Sequence, residues 1–117
     1  MRGYTSAGMI AVWAVLAMGL GALASPAEAA PFAYVANGND NTVSVIDTAT
    51  NTMVATVPVG SQPVGVAVTP DGNRAYVTNQ GDQFNPSTVS VIETATNTVV
   101  ATVPVAVRPS SVAITPD

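Results

Sequence analysis

The side chains able to do chemistry are few, and most of them come in pairs. The chain carries 7 Asp and Glu, 3 Lys and Arg, no His and no Cys. Without imidazole or thiol there is no Ser-His-Asp arrangement, no thiolate nucleophile, no disulfide and none of the usual zinc ligand sets. What remains is carboxylate chemistry, an acid-base pair or a calcium ion, and either needs carboxylates that converge. Here they recur instead. Asp47 is matched by Glu93 and Asp71 by Asp117, while Asp40 and Asp82 occupy similar loop positions. A carboxylate that returns at the same place in each unit reads as a turn residue, because Asp bonds its own backbone two residues on. Gly38-Asn39-Asp40-Asn41 has the composition of a calcium loop but lacks the spaced ligands and closing Glu of an EF-hand. The stretches GNDNT and GSQPVG lack the glycine spacing of a phosphate or dinucleotide fingerprint. The expectation is therefore no catalytic residue, no metal and no cofactor in this segment. A net charge of −4, with no cluster of cations to neutralise phosphates, also argues against a nucleic-acid partner.

One stretch does not repeat: Gln80-Gly81-Asp82-Gln83-Phe84-Asn85-Pro86-Ser87. It is longer than its counterpart at residues 38–41 and carries an aromatic. Binding function concentrates in loops held by a rigid scaffold, so Asp82, Phe84 and Asn85 are the candidate contact residues. A tolerated insertion is the plainer alternative. Arg108 stands where the preceding repeat has Gln62, and is a second unshared residue able to line a rim. Proline at position 86 prevents Asn85 from being a glycosylation acceptor.

These residues must be positioned by repeated elements. Residues 42–59 read TVSVIDTATNTMVATVPV and residues 88–105 read TVSVIETATNTVVATVPV, with changes only at Asp47/Glu93 and Met53/Val99. Tyr34-Val35-Ala36-Asn37 returns 42 residues later as Tyr76-Val77-Thr78-Asn79, and the TVSVI segments are 46 residues apart. Four extra residues between Asn79 and Thr88 account for the difference. A period near 42 suits a four-stranded propeller blade and is too long for one coil of a β-helix. Strands are expected over 63–69, 74–79, 88–93 and 98–105. Pro70-Asp71-Gly72 forms the first turn, and Asn97 supplies left-handed backbone in the last hairpin. Asp47 or Glu93 is placed to accept backbone hydrogen bonds from that hairpin loop. In VSVI both faces are largely apolar, as in a sheet covered on both sides. Pro58 and Pro104 cannot donate to a ladder, which places the fourth strand of each blade at the outer edge.

The tetrad YVTN, the segment TVSVIDTATNTMVATVPVG and the run PVGVAVTPDG resemble the YVTN family of β-propeller repeats over essentially all of residues 30–117. The resemblance implies radial blades of four antiparallel strands in secreted, periplasmic or cell-surface proteins, with no single activity. The fold class expected is all-β: about two blades of an incomplete ring, with repeat units near 34–75 and 76–117. Eight strands are expected, the last of them within SVAITPD. Closed rings take roughly four to eight blades. A piece of a longer protein, a ring of identical chains that exchange their last strand, and a small two-sheet sandwich are the three ways to accommodate so few.

Residues 1–29 read as a secretory signal peptide. Arg2 precedes the apolar run Met9 to Ala24, which is shorter than the roughly 20 residues a spanning helix needs. Ala27 and Ala29 then mark an A-x-A cleavage site before Ala30. The expected location is periplasmic, secreted or cell-surface, with no membrane insertion once the leader is removed. The functional expectation is a non-enzymatic scaffold or interaction surface for a protein or small ligand. A fragment of an oxidoreductase- or lactonase-like propeller enzyme with its active site in other blades is one alternative. A ligand-binding ring built from two-blade chains is another.

Overall fold

The computed structural model describes residues 31–116, all within one compact unit that begins at Pro31. The leader expected at residues 1–29 lies outside them. Seven strands form in chain order: β1 (Phe32–Asn37), β2 (Thr42–Asp47), β3 (Thr52–Pro58), β4 (Pro63–Val68), β5 (Arg74–Asn79), β6 (Thr88–Glu93) and β7 (Thr98–Pro104). They make two antiparallel sheets, β1-β2-β3 and β4-β5-β6-β7, each a simple meander. β1, β2 and β3 are the repeat counterparts of β5, β6 and β7. All three proline-bearing strands, β3, β4 and β7, lie at sheet edges, where a missing N–H leaves no gap in a ladder.

The turns explain why the chain reverses where it does. Gly72 N–H donates to Thr69 O at 2.8 Å, closing a turn with Pro70 at its first corner and Gly72 at φ 77°. The TATN loops close by Asn51 N–H to Asp47 O at 2.7 Å and Asn97 N–H to Glu93 O at 2.8 Å, with both asparagines at positive φ. Asp47 Oδ1 also accepts the Ala49 N–H at 2.8 Å. No side-chain bond of that kind is made by Glu93, whose extra methylene carries the carboxylate past the Asx-turn geometry. A bulge falls at the same place in each outer hairpin, between Val45 and Ile46 and between Val91 and Ile92.

Alternation decides which face meets which. Paired residues share a face, so Tyr34, Val43, Val45, Ala55 and Val57 project from one side of the first sheet. Val66, Ala75, Val77 and Ile92 project from one side of the second. These two faces pack on each other and form the core. Side chains this small let the sheets stack closely, and each sheet hides the face its neighbour would leave wet.

Among the described residues the expected eighth strand does not form. Residues 109–116 join no ladder. A strand needs a neighbour for its amides, and among the described residues none stands beside this segment to pair with it. Among the described residues the first sheet correspondingly has three strands, with no partner on β1 of the kind that β4 provides to β5.

Candidate functional site

Each Tyr-Val-x-Asn tetrad ends in a clamp. Asn37 Nδ2 donates to Thr42 Oγ1 at 3.1 Å and Ser44 Oγ at 2.8 Å. Asn79 Nδ2 does the same to Thr88 Oγ1 at 3.1 Å and Ser90 Oγ at 3.0 Å. The amide thus spans the hairpin at the point where the chain leaves the sheet, and its repetition marks it as structural. Asn79 is fully buried, and its Oδ1 has no partner.

From the second clamp the chain enters the unshared loop. Its first two amides, Gln80 N–H and Gly81 N–H, donate to Gln62 O and Ser61 O, each at 2.9 Å. The loop therefore rests on the connection between the two sheets. Gly81 is required there: its φ is 76°, and a Cβ would lie 2.5 Å from Asn85 O and 2.8 Å from Pro86 C.

Asp82 is the loop's organising residue. Its Oδ1 accepts the Phe84 N–H at 2.8 Å, the Asn85 N–H at 2.9 Å and Asn85 Nδ2 at 3.0 Å. Its Oδ2 accepts Ser61 Oγ at 2.9 Å and Asn85 Nδ2 at 3.1 Å. The Phe84 N–H, then the Ser61 hydroxyl and the Asn85 groups, hold its carboxyl below the usual range, since every one of these bonds favours the charged form. Both oxygens are engaged, which leaves the carboxylate little capacity for an external ligand. Asn85 is likewise turned inward onto Asp82. Phe84 alone of the three is free to touch something else, and it is 83% exposed.

Beside the loop lies a cleft of about 310 Å³, lined by Gln80, Asp82, Gln83, Asn85 and Ser87 on one side and by Val107 and Arg108 on the other. Ser87 fixes the far wall: its carbonyl accepts the Val105 N–H at 3.2 Å and its hydroxyl the Arg108 N–H at 3.0 Å. Asn41 performs this service in the first repeat, taking the Val59 and Gln62 amides at 3.0 and 2.9 Å. Gln62 and Arg108 accordingly share a left-handed backbone, with φ 56° and 57°. The cleft brings Asp82 and Asn85 together with Arg108, while Phe84 is not among its walls. Sequence reasoning missed Ser61, whose only signal is that its repeat counterpart is Val107. Among the described residues no group of three carboxylates converges as a metal would require.

The comparisons agree with this architecture. A family model described as YNCE-like beta-propeller matches residues 4–117. Among solved structures, the hydrazine synthase of Kuenenia stuttgartiensis is similar at 31% identity and TM-score 0.62, over 68% of this chain and 22% of that one. A protein described as functionally unknown from Desulfotomaculum acetoxidans is similar at 24% identity and TM-score 0.63, over 72% of this chain and 26% of that one, a likeness of fold alone. The chain thus spans about a quarter of the length of either structure. No curated protein matches it. The repeated tetrads, the meandering sheets and the family match converge on one identification: this chain belongs to the YNCE-like β-propellers, a family of YVTN-type repeats.

Proposed function

We propose that this chain is an exported, non-enzymatic propeller segment whose loop 80–87 is a contact surface for another protein. The carrying observation is Phe84, a large apolar side chain left in solvent on a loop that Asp82 holds by five side-chain hydrogen bonds. A rigid aromatic anchor costs little entropy when it enters a partner's pocket, and aromatics dominate the energetics of such contacts. The repeat supports the same reading, because this loop is where the second blade departs from the first.

The test places a photo-crosslinking amino acid at position 84 and, as control, at Ala95 in the exposed TATN turn, in the organism's own exported fraction. A discrete adduct from position 84 is expected. It should weaken when Asp82→Ala, with the crosslinker kept at position 84, removes the carboxylate that holds the loop in shape. Adducts that are the same from both positions sink the proposal. Export itself is checked by cell fractionation and N-terminal sequencing, with Ala30 expected as the first residue of the mature chain.

A second reading draws on the likeness to part of a hydrazine synthase. On that reading the segment is a structural part of a larger propeller enzyme, and loop 80–87 faces the remainder of that enzyme.

A further inference from the structure

Two features of the fold fit each other across different copies. The first is an edge that no described residue fills. β1 is the counterpart of β5, and β5 pairs on one side with β4 and on the other with β6. Among the described residues β1 pairs only with β2. The second is a spare strand. Residues 108–116, RPSSVAITP, repeat residues 62–70, QPVGVAVTP, which contain β4. This spare segment joins no sheet.

The segment cannot fill the edge within its own copy. A Cβ on Gly65 would meet Ser110 O at 3.3 Å and Ser111 Cα at 3.5 Å. Gly65 pairs with Thr78, on the face opposite Val66 and Val77, which pack toward the first sheet. The whole second sheet therefore stands between the segment and β1.

The open faces match as well. Val77 is 0% exposed in the core, while its counterpart Val35 is 43% exposed on the outer face of the first sheet. Val57 is 1% exposed, while its counterpart Val103 is 46% exposed on the outer face of the second. Each open face is thus a copy of one half of the interface already buried between the sheets.

We propose that two copies of this chain associate head to tail, the open face of β4–β7 in one covering the open face of β1–β3 in the next, with residues 109–116 adding as a fourth strand along β1 of that next copy. The β4–β5 register, with Pro63 opposite Asn79, Val66 opposite Val77, Ala67 opposite Tyr76 and Val68 opposite Ala75, transfers directly. Shifted by the repeat, it sets Pro109 opposite Asn37, Val112 opposite Val35, Ala113 opposite Tyr34 and Ile114 opposite Ala33. The contact is heterologous, so every copy both gives and receives, and assembly runs on to a ring or a filament. One position fits less well. A Cβ on Gly60 would lie 2.7 Å from Asn79 Nδ2, and the counterpart of Gly60 is Ala106, which carries that carbon. In the joint between copies it meets Asn37, whose amide must shift. The joint is therefore looser than the internal interface.

The chain has no cysteine, so introduced pairs report cleanly. Opposed Cα atoms in an antiparallel pair lie about 4.5–5.5 Å apart, within disulfide range. Under mild oxidation the full-length Val35→Cys/Val112→Cys chain should give a ladder of covalent dimers, trimers and larger species. Mixing the two single-cysteine chains should give their 1:1 dimer as the cross-linked product. The pair Val35→Cys/Ala113→Cys, shifted by one residue and so facing opposite ways, should give little. Absence of the ladder, or an equal ladder from the shifted pair, overturns the proposal. Light scattering on the unmodified chain guards against misfolded variants: growth with concentration is expected, shifted to lower concentration by Ala106→Gly, and a monomer throughout overturns the proposal. Photo-adducts at position 84 do not depend on these outcomes.

Discussion

At the scale of single residues, the asparagine clamps and Asp82 do different work from what their polarity alone implies. Asn79 is buried and holds two hydroxyls across a hairpin; Asn37 makes the same bonds in a half-buried setting. Replacing Asn79 by Ala leaves Thr88 and Ser90 without their donor and opens a gap, at an expected cost of about 1–3 kcal/mol. Asn37→Ala should cost less, because water reaches the groups left behind. Denaturant midpoints of the two variants check the order. Asp82 carries a pH signature. Its folded pKa is depressed, chiefly by the Phe84 N–H, so its contribution is complete above the unfolded value of about 3.9 and is lost as pH falls through the lower folded one. The Phe84 and Asn85 amide resonances should therefore titrate together, with a midpoint below that of Asp in an unstructured peptide. In an Asp82→Asn variant this titration should disappear.

At the scale of elements, strand positions and edges were legible because they rest on strong local signals. Strands at 74–79 and 88–93 fall where the repeated Val-rich runs and the turn residues between them put them, and Pro58 and Pro104 mark the outer edges. The inner strand ends at Val68 rather than Thr69, because Thr69 N–H and Oγ1 are committed to the turn with Arg74 and Asp71. The eighth strand was misread because a strand is a property of two segments, and one sequence motif cannot show whether its partner is present. The cleft was only half legible. Loop 80–87 announced itself by failing to repeat, but its attachment through Ser61 and its apposition to Arg108 depend on contacts 21 residues apart. The turn at Gly81 belongs to this scale too. Gly81→Ala forces a left-handed conformation and a collision with backbone at Asn85 and Pro86. It should cost more than about 1 kcal/mol and detach the loop, visible as accelerated amide exchange at residues 82–85.

At the scale of the molecule, the two sheets offer a built-in comparison. Ile92 is fully buried between them, while its repeat counterpart Ile46 lies on the outer face and is only half-buried. Ile92→Ala should cost about 2–5 kcal/mol. Ile46→Ala should cost distinctly less in dilute solution, and the gap should narrow under conditions in which copies stack. Thermal melts at several protein concentrations separate the two regimes. Family and fold could be read from the sequence because repetition multiplies a weak strand signal. Partner and activity could not, since a surface side chain such as Phe84 carries no record of what it meets.

The near-identity of residues 42–59 and 88–105 also bears on how the chain finds its native pairing. β1 has two almost indistinguishable suitors, β2 after a loop of four residues and β6 after a detour of fifty. Ring-closure entropy favours the near one by about 2 kcal/mol, so a minority of refolding molecules should thread the wrong hairpin first and must back out. Lengthening the connection at 38–41 would erode that kinetic bias and should add a slow phase to refolding.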